Sequence, residues 1–149
     1  MDSQLNPTGR CMCGTVRYEL KSAPFDAGWC HCRTCQLSYG APAMVFASVG
    51  DGDWVANEGV DAIRTVQSSS FGHRAFCGEC GTPLYVRVDH QPDTVDFSVA
   101  TLDEPGSVAP GFHIFWSSHV DWFNPGDNLP RHEKFRPDTR GLEGTEPPA

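Results

Sequence analysis

Residues 77–81 of the chain read Cys77-Gly-Glu-Cys80-Gly81, a pair of cysteines separated by two residues and followed by a glycine. Two cysteines at this spacing can bind one zinc ion from a single turn, because zinc prefers soft thiolate ligands in a tetrahedron. The glycine permits a positive φ angle, which we expect to let backbone N–H groups point at the sulfurs. The segment is therefore typical of a metal site.

Two further cysteine clusters precede this pair, Cys11-Met-Cys13-Gly14 and Cys30-His-Cys32-Arg-Thr-Cys35. Seven cysteines in total are an odd number, which fits disulfide pairing poorly. Seven cysteines are, by contrast, enough for one closed tetrahedral zinc site with four ligands and one zinc site with three ligands and an open position.

The spacing of the clusters does not decide how they pair. Two different four-cysteine sites are possible, and each leaves three cysteines for a second site. The first would contain Cys32, Cys35, Cys77 and Cys80, and the second Cys11, Cys13, Cys77 and Cys80.

Short apolar runs separated by turns predict a mainly β fold with little helix. Val16, Tyr18 and Leu20 alternate with polar residues, which predicts a half-buried strand within residues 14–22. Similar runs predict strands in residues 43–49, 84–88 and 95–99. A short helix is expected from about Cys32 to Gly40, and residues 112–123 fit either a helical face or a strand, of which we choose the strand.

The 149 residues are enough for one domain, which we place at 1–135, followed by a disordered acidic tail at 136–149. The net charge of −8 and the absence of a basic cluster argue against nucleic acid as a partner. No apolar stretch is long enough to span a membrane, and residues 1–7 do not resemble a signal peptide. These features predict a cytoplasmic protein.

The cysteine motifs and their surroundings resemble the glutathione-dependent formaldehyde-activating enzyme family. The matching segments follow the same order along the chain: Arg10-Cys-Met-Cys-Gly-Thr-Val-Arg-Tyr18, Cys30-His-Cys-Arg-Thr-Cys-Gln36, Arg74-Ala-Phe-Cys-Gly-Glu-Cys-Gly81, Leu102-Asp-Glu-Pro105 and His113-Ile-Phe-Trp-Ser-Ser-His-Val-Asp-Trp122. They span roughly residues 9 to 135. The resemblance implies an Mss4-like fold, in which curled antiparallel sheets are clamped by zinc.

The same resemblance implies two zinc ions per chain and assigns their ligands. A structural zinc would be bound by Cys11, Cys13, Cys77 and Cys80, and a catalytic zinc by Cys30, Cys32 and Cys35. The implied activity is that of a carbon–sulfur lyase similar to S-(hydroxymethyl)glutathione synthase. Its partners would be a small-molecule thiol, glutathione or a similar one, and an aldehyde such as formaldehyde.

The chemistry of a zinc bound by three cysteines is consistent with that activity. Its fourth position can accept a substrate sulfur, and metal coordination deprotonates a thiol. Three thiolates also make the site anionic, so we expect a positive neighbour, either Arg33 or a protonated His31, and nominate Arg33. His31 is interpreted as structural, and His113 and His119 as packed or surface residues. The aromatic side chains of residues 112–123 could line a pocket, but we expect them to pack in the core.

Two other classes of function fit the same sequence. One is a zinc-stabilised interaction module without chemistry, since Mss4-like folds also serve as binding domains. The other is a redox- or zinc-responsive thiol protein, in which reversible oxidation of Cys30, Cys32 and Cys35 would release the metal.

Overall fold

The computed structural model describes residues 6–136, which form ten strands, one α-helix and several 3-10 turns. The strands are β1 (Thr8–Arg10), β2 (Arg17–Leu20), β3 (Phe25–Cys30), β4 (Met44–Gly50), β5 (Trp54–Glu58), β6 (Ile63–Gln67), β7 (Gly72–Cys77), β8 (Pro83–Val88), β9 (Thr94–Ser98) and β10 (His113–Ile114). The helix α1 is Arg33–Tyr39. The prediction of a mainly β fold with little helix is confirmed.

The strands form two sheets. The smaller has the order β1-β2-β5, and the larger has the order β10-β3-β4-β9-β8-β7-β6. Neighbouring strands are antiparallel throughout, except that β10 lies parallel to β3. This arrangement agrees with the expected antiparallel sheets.

The smaller sheet packs against one face of the larger sheet through the predicted alternation. Tyr18 and Leu20 are at most 1% exposed and belong to the main core cluster. The buried members of that cluster are Tyr18, Leu20, Ala47, Val49, Val95, Phe97, Val99 and Leu102. Full burial of side chains of this size stabilises the fold by roughly 1.5–3 kcal/mol each.

Alternate side chains of strand β4 lie in two different environments. Ala47 and Val49 face the main core, whereas Met44 and Phe46 face the opposite side of the sheet, near Cys30. Because successive side chains of a strand point to opposite faces, a single strand can close the core and line a site.

Helix α1 begins and ends where the sequence predicted. Cys32 is its N-cap and accepts a hydrogen bond from the Cys35 backbone N–H through its sulfur at 3.3 Å. Gly40 ends the helix in the left-handed conformation, with φ of 62°, and its N–H donates to the Gln36 carbonyl.

The strand that we chose for residues 112–123 is only partly correct. Strand β10 has two residues, and a 3-10 turn follows at Trp116–Ser118. Phe115 adopts a φ of +56°, which breaks the extended backbone between them. Its N–H donates to the Lys134 carbonyl at 3.1 Å, so this backbone group is hydrogen-bonded to a segment further along the chain.

The predicted tail begins at Arg136, which is the last residue that the structure describes. Its guanidinium pairs with the Asp26 carboxylate at 3.3 Å and lies over the Phe112 ring at 4.5 Å. The remainder of the predicted tail, residues 137–149, lies outside the described residues. Within the described range, no helix has the length and apolar content that crossing a membrane requires.

Candidate metal centres

Two turns bring the first and third cysteine clusters together into a four-cysteine site. Cys11 and Cys13 follow β1, and Cys77 and Cys80 flank the turn between β7 and β8. Their sulfur atoms all lie within 4.8 Å of one another. The Sγ atoms of residues 11 and 13 are 3.6 Å apart, and those of residues 13 and 77 are 3.9 Å apart. A tetrahedral zinc with bonds of about 2.3 Å requires sulfurs about 3.8 Å apart, so this donor set fits zinc.

Backbone groups hold these sulfurs in place. Gly14 and Gly81 adopt positive φ angles, as expected, of 81° and 85°. Their N–H groups donate to carbonyl oxygens, however, and the amides that donate to sulfur belong to other residues. The Val16 N–H donates to Cys11 Sγ at 3.3 Å, and the Glu79 N–H donates to Cys77 Sγ at 3.4 Å. The glycines therefore shape the turns that bring these donors to the sulfurs.

The second cluster forms a separate three-cysteine site at the start of helix α1. Cys30 ends β3, Cys32 caps the helix, and Cys35 lies in its first turn. Their exposed fractions are 6%, 3% and 5%. Among residues 6–136, these three sulfurs make a cluster of their own with no fourth metal-ligating side chain. The donor set fits a soft metal ion with one coordination position left for another ligand.

The cationic neighbour of this site is Arg74, not Arg33. Arg33 is exposed, and its guanidinium donates to Gln36 Oε1 at 3.3 Å. Arg74, on β7, donates from Nη2 to Cys35 Sγ at 3.4 Å and from Nε to Ser68 Oγ at 3.0 Å. The expectation for Arg33 fails because the helix turns that side chain towards solvent.

Hydrogen bonds and charge make the three thiols unequal. The Cys30 and Cys32 side chains, followed by the Arg74 guanidinium, hold the pKa of the Cys35 thiol well below its usual range. The pKa of Cys30 is raised, because its thiol is hydrogen-bonded to the other two sulfurs and is buried. The cluster therefore readily carries one negative charge, and a bound cation would have to displace the other protons.

A chain of hydrogen-bonded polar groups begins at His31, between two of these cysteines, and passes through two buried histidines to a partly exposed ion pair. His31 Nε2 lies 2.8 Å from His113 Nδ1, and His113 Nε2 lies 3.1 Å from the Asp127 carboxylate. The carboxylate also accepts from Arg131 Nη1 at 3.1 Å. Burial, followed by the charge of His113, lowers the pKa of His31 to about 4, so that this ring is neutral. The structural interpretation of His31 agrees with this contact, which joins the residue after β3 to β10.

The aromatic residues of 112–123 have mixed surroundings. Phe112 and Phe115 are buried beside the three-cysteine site, whereas Trp122 is 76% exposed. His119 stacks on Trp116 with ring centroids 4.0 Å apart. Core packing therefore describes only part of this segment.

A cavity of about 80 Å³ opens onto the three-cysteine site. This volume holds roughly three water molecules, or a small organic molecule. The lining is largely apolar, and its polar side chains come from β7, β9 and the loop before β7. The lining residues are Cys30, Cys32, Cys35, Met44, Phe46, Ser68, Ser69, Phe71, Gly72, Arg74, Val86, Val88, Asp96, Ile114, Phe115 and Phe135.

Sequence reasoning did not find Arg74 and Asp96 as site residues. Asp96 lies between two predicted core residues, Val95 and Phe97, so its position on the opposite face could be predicted. Polar residues at such positions usually face solvent, and only the three-dimensional arrangement places this one in a cavity.

The fold and the two sites define a β protein with one closed and one open cysteine site, both suited to metal ions. The model of the glutathione-dependent formaldehyde-activating enzyme family matches residues 6–118. The chain belongs to this family. The match contains all seven cysteines and both sites.

Individual relatives agree with this assignment. A Halomonas elongata protein named "Putative glutathione-dependent formaldehyde-activating enzyme" is 26% identical over 76% of this chain and 77% of its own length. A Podospora anserina protein of the same name is 30% identical over 80% of this chain and 59% of its own length. An uncharacterized lyase of Schizosaccharomyces pombe is 34% identical over 52% of this chain and 54% of its own. The chain thus spans little more than half of the two fungal proteins.

A solved structure shares the fold. The crystal structure of a Rhodobacter sphaeroides protein matches with a TM-score of 0.55 and 21% identity, covering 83% of this chain and 98% of that one. At this identity the likeness bears on the fold alone.

Proposed function

We propose that this chain is a zinc-dependent carbon–sulfur lyase that forms and cleaves an adduct between a thiol, glutathione or a similar one, and formaldehyde. The observation that carries the proposal is the buried site of Cys30, Cys32 and Cys35, which has three ligands and opens onto a cavity. The family description and the names of the relatives support the same reaction.

The two cysteine sites would bind two zinc ions per chain with different roles. Cys11, Cys13, Cys77 and Cys80 would hold a structural ion, because four ligands complete a tetrahedron. Cys30, Cys32 and Cys35 would hold the second. When bound, this ion would supply the positive charge that keeps a substrate thiol deprotonated.

The surroundings of the open site suit a thiol and a small aldehyde. Arg74 places a positive charge against Cys35 Sγ, which offsets part of the negative charge of the thiolates. Apolar side chains such as Phe46 and Phe115 form much of the cavity lining, which strengthens electrostatic interactions there. Its volume of about 80 Å³ accommodates a one-carbon aldehyde and the end of a thiol, but not a whole tripeptide.

The body of a larger thiol would extend into a second cavity. This neighbouring space of about 110 Å³ shares Phe46, Asp96 and Phe135 with the first, and its lining includes Gln91 and Arg136. The two cavities are therefore adjacent, and the second offers polar side chains that can contact a charged ligand.

The proposal is tested by the rate at which the adduct exchanges with free thiol and formaldehyde. With carbon-13 formaldehyde and glutathione, exchange NMR measures this rate above the uncatalysed value. We expect the zinc-loaded protein to increase the rate and Cys32→Ser, at equal protein concentration, to leave it at the uncatalysed value. No increase with glutathione, cysteine or coenzyme A as the thiol would contradict the proposal. Reversible oxidation with release of one zinc would then favour the redox-responsive function instead.

A further inference from the structure

Four side chains form one row across the larger sheet, on the face opposite the core. In register, Arg74 of β7 pairs with Val86 of β8. Val86 pairs in turn with Asp96 of β9, and Asp96 pairs with Ser48 of β4. Directly paired residues point to the same face, and adjacent strands lie about 4.8 Å apart. Arg74 and Asp96 therefore flank Val86, with their Cα atoms about 10 Å apart.

This row forms one wall of the cavity over the three cysteines. Arg74, Val86 and Asp96 all line that cavity. Asp96 also lines the neighbouring cavity, together with Ser48, so this residue borders both spaces. A cationic group and an acidic group thus face a space that holds a molecule of a few atoms.

The Arg74 guanidinium has an N–H group left over. Nε donates to Ser68 and Nη2 donates to Cys35, whereas the buried Nη1 has no hydrogen-bond partner. A buried donor without an acceptor is costly, and a native structure rarely keeps one. An oxygen of a bound ligand would satisfy it.

The Asp96 carboxylate is suited to exchange a proton. Its Oδ1 accepts from the Ser48 hydroxyl at 2.7 Å, which orients the group. Burial, together with the negative charges of Cys35 and Asp26, raises the pKa of Asp96 to about 6, although the hydrogen bond from Ser48 lowers it. A carboxyl group in this range can give or accept a proton near neutral pH.

Charged and titratable groups approach Asp96 from several elements, and two of them are positive. They are Arg74 on β7, Cys35 on α1 with Cys30 and Cys32 beside it, Asp26 on β3 and Arg136 in the C-terminal segment. The paired residue on β8, Val86, is apolar.

We propose that Asp96 is a catalytic residue that exchanges a proton with the oxygen of the adduct, and that Arg74 Nη1 donates a hydrogen bond to this oxygen while it is negatively charged. The inference rests on the proposed function. It assigns the proton transfer that addition of a thiol to an aldehyde requires and that no cysteine of the site can perform while ligating a metal.

The step balances in both directions. During addition, the thiolate sulfur forms a bond to the aldehyde carbon, and the π electron pair of the carbonyl moves onto oxygen. The protonated Asp96 then gives its proton to that oxygen and regains one from water. During cleavage, the Asp96 carboxylate removes the hydroxyl proton, the carbonyl re-forms, and the electron pair of the C–S bond returns to sulfur.

The test compares zinc-loaded wild type with Asp96→Asn, which keeps the size of the side chain and removes the exchangeable proton. With glutathione and formaldehyde as probes, exchange NMR between pH 5.5 and 8 gives the catalysed cleavage rate. We expect this rate to rise with pH through about 6 in wild type. In the variant we expect it to be about 100-fold lower, without that rise, and zinc content unchanged. Asp61→Asn, at an exposed 3-10 turn, is the matched control and should match wild type.

A second variant distinguishes catalysis from a structural role. Ser48→Ala removes the hydrogen bond that favours the charged carboxylate, so the midpoint of the pH profile should move to higher pH. An Asp96→Asn variant that keeps the wild-type rate and profile would overturn the inference. So would one whose activity falls in parallel with its melting temperature or its zinc content. A wild type without any acceleration would overturn the proposed function itself, and this inference with it.

Discussion

The two cysteine sites of this chain differ in burial and in the number of ligands. The more exposed site has four cysteines, whereas the more buried site has three. The four-cysteine site lies near the surface, with Cys13 exposed and Cys80 half-buried, yet its four ligands leave no position for a substrate. The three-cysteine site is buried throughout, yet it lacks a fourth ligand and opens onto a cavity. Access to a metal is therefore decided by the number of ligands, and burial supplies the dry surroundings that the chemistry needs.

The electrostatic surroundings of the two sites differ as well. At the four-cysteine site, backbone amides and the Thr82 hydroxyl contact the sulfurs, and the hydroxyl lowers the pKa of Cys80 to about 5. At the three-cysteine site, a buried guanidinium contacts Cys35, and Asp96 faces the same cavity. Neutral donors suffice for a structural site, whereas the open site has charged groups that can act on a ligand.

The largest effect on folding is expected when one ligand of the four-cysteine site is removed. Cys77→Ser should release the metal and unfold the chain, because this site ties the β1–β2 turn to the β7–β8 turn. A structural zinc contributes on the order of 10 kcal/mol, comparable to the whole stability of a domain. Circular dichroism and metal analysis would show the loss together. A folded variant that retains one zinc at the four-cysteine site would contradict the structural role.

Removal of the cation at the open site should weaken metal binding without unfolding. Arg74→Met keeps the length of the side chain and removes the guanidinium that contacts Cys35 Sγ. Loss of a hydrogen-bonding partner of a metal ligand typically lowers metal affinity by about 10- to 100-fold. Competition with a chelator would measure the change. Arg33→Met is the matched control at an exposed position, and an equal loss there would show that proximity to Cys35 is irrelevant.

Asp96 should make the fold less stable at neutral pH. Its pKa is raised from 3.8 to about 6 in the folded protein, so the folded state binds more protons than the unfolded state between these values. Stability from this group is therefore highest below about pH 4 and is lost as the pH rises to about 6. Two pKa units correspond to roughly 2–3 kcal/mol.

Asp96→Asn removes this cost above pH 6. Denaturant titrations at pH 7.5 should show the variant to be more stable than wild type by up to about 2 kcal/mol. The advantage should become smaller at pH 5.5. A variant less stable at both pH values would contradict this, because it would show that contacts of the Asp96 carboxylate stabilise the fold.

The smallest expected effect concerns Cys32, which both caps helix α1 and contributes to the open site. Cys32→Ser retains an acceptor for the Cys35 N–H, whereas Cys32→Ala removes it. In metal-free protein, the serine variant should be more stable by about 1 kcal/mol. Urea unfolding of both variants measures the difference. Equal stability would show that the cap contributes nothing beyond the metal site.

Much of this arrangement could be predicted from the sequence. The alternation at Tyr18 and Leu20 gave the buried face of β2, and Gly40 gave the end of the helix, because both depend on local backbone geometry. The cysteine clusters indicated two metal sites, although their pairing required the family resemblance or the structure. Gly14 and Gly81 were correctly expected at positive φ.

The residues that sequence reasoning missed depend on long-range register. Arg74 and Cys35 are 39 residues apart and meet only because the fold brings β7 and the start of α1 to the same cavity. His31 and His113 are 82 residues apart and meet only because β10 lies parallel to β3. Phe115 ends its strand by adopting a left-handed conformation, which nothing in the sequence around an aromatic residue predicts. No local pattern contains such information.

The number of zinc ions in wild type and in Cys32→Ser, measured while folding is monitored, tests the division into a closed and an open site most directly. We predict about two zinc ions in wild type, and one in a variant that remains folded, because Cys32 lies outside the four-cysteine site and serine preserves the helix cap. One zinc in wild type together with an unfolded variant would contradict this division and would assign Cys32 to the structural site.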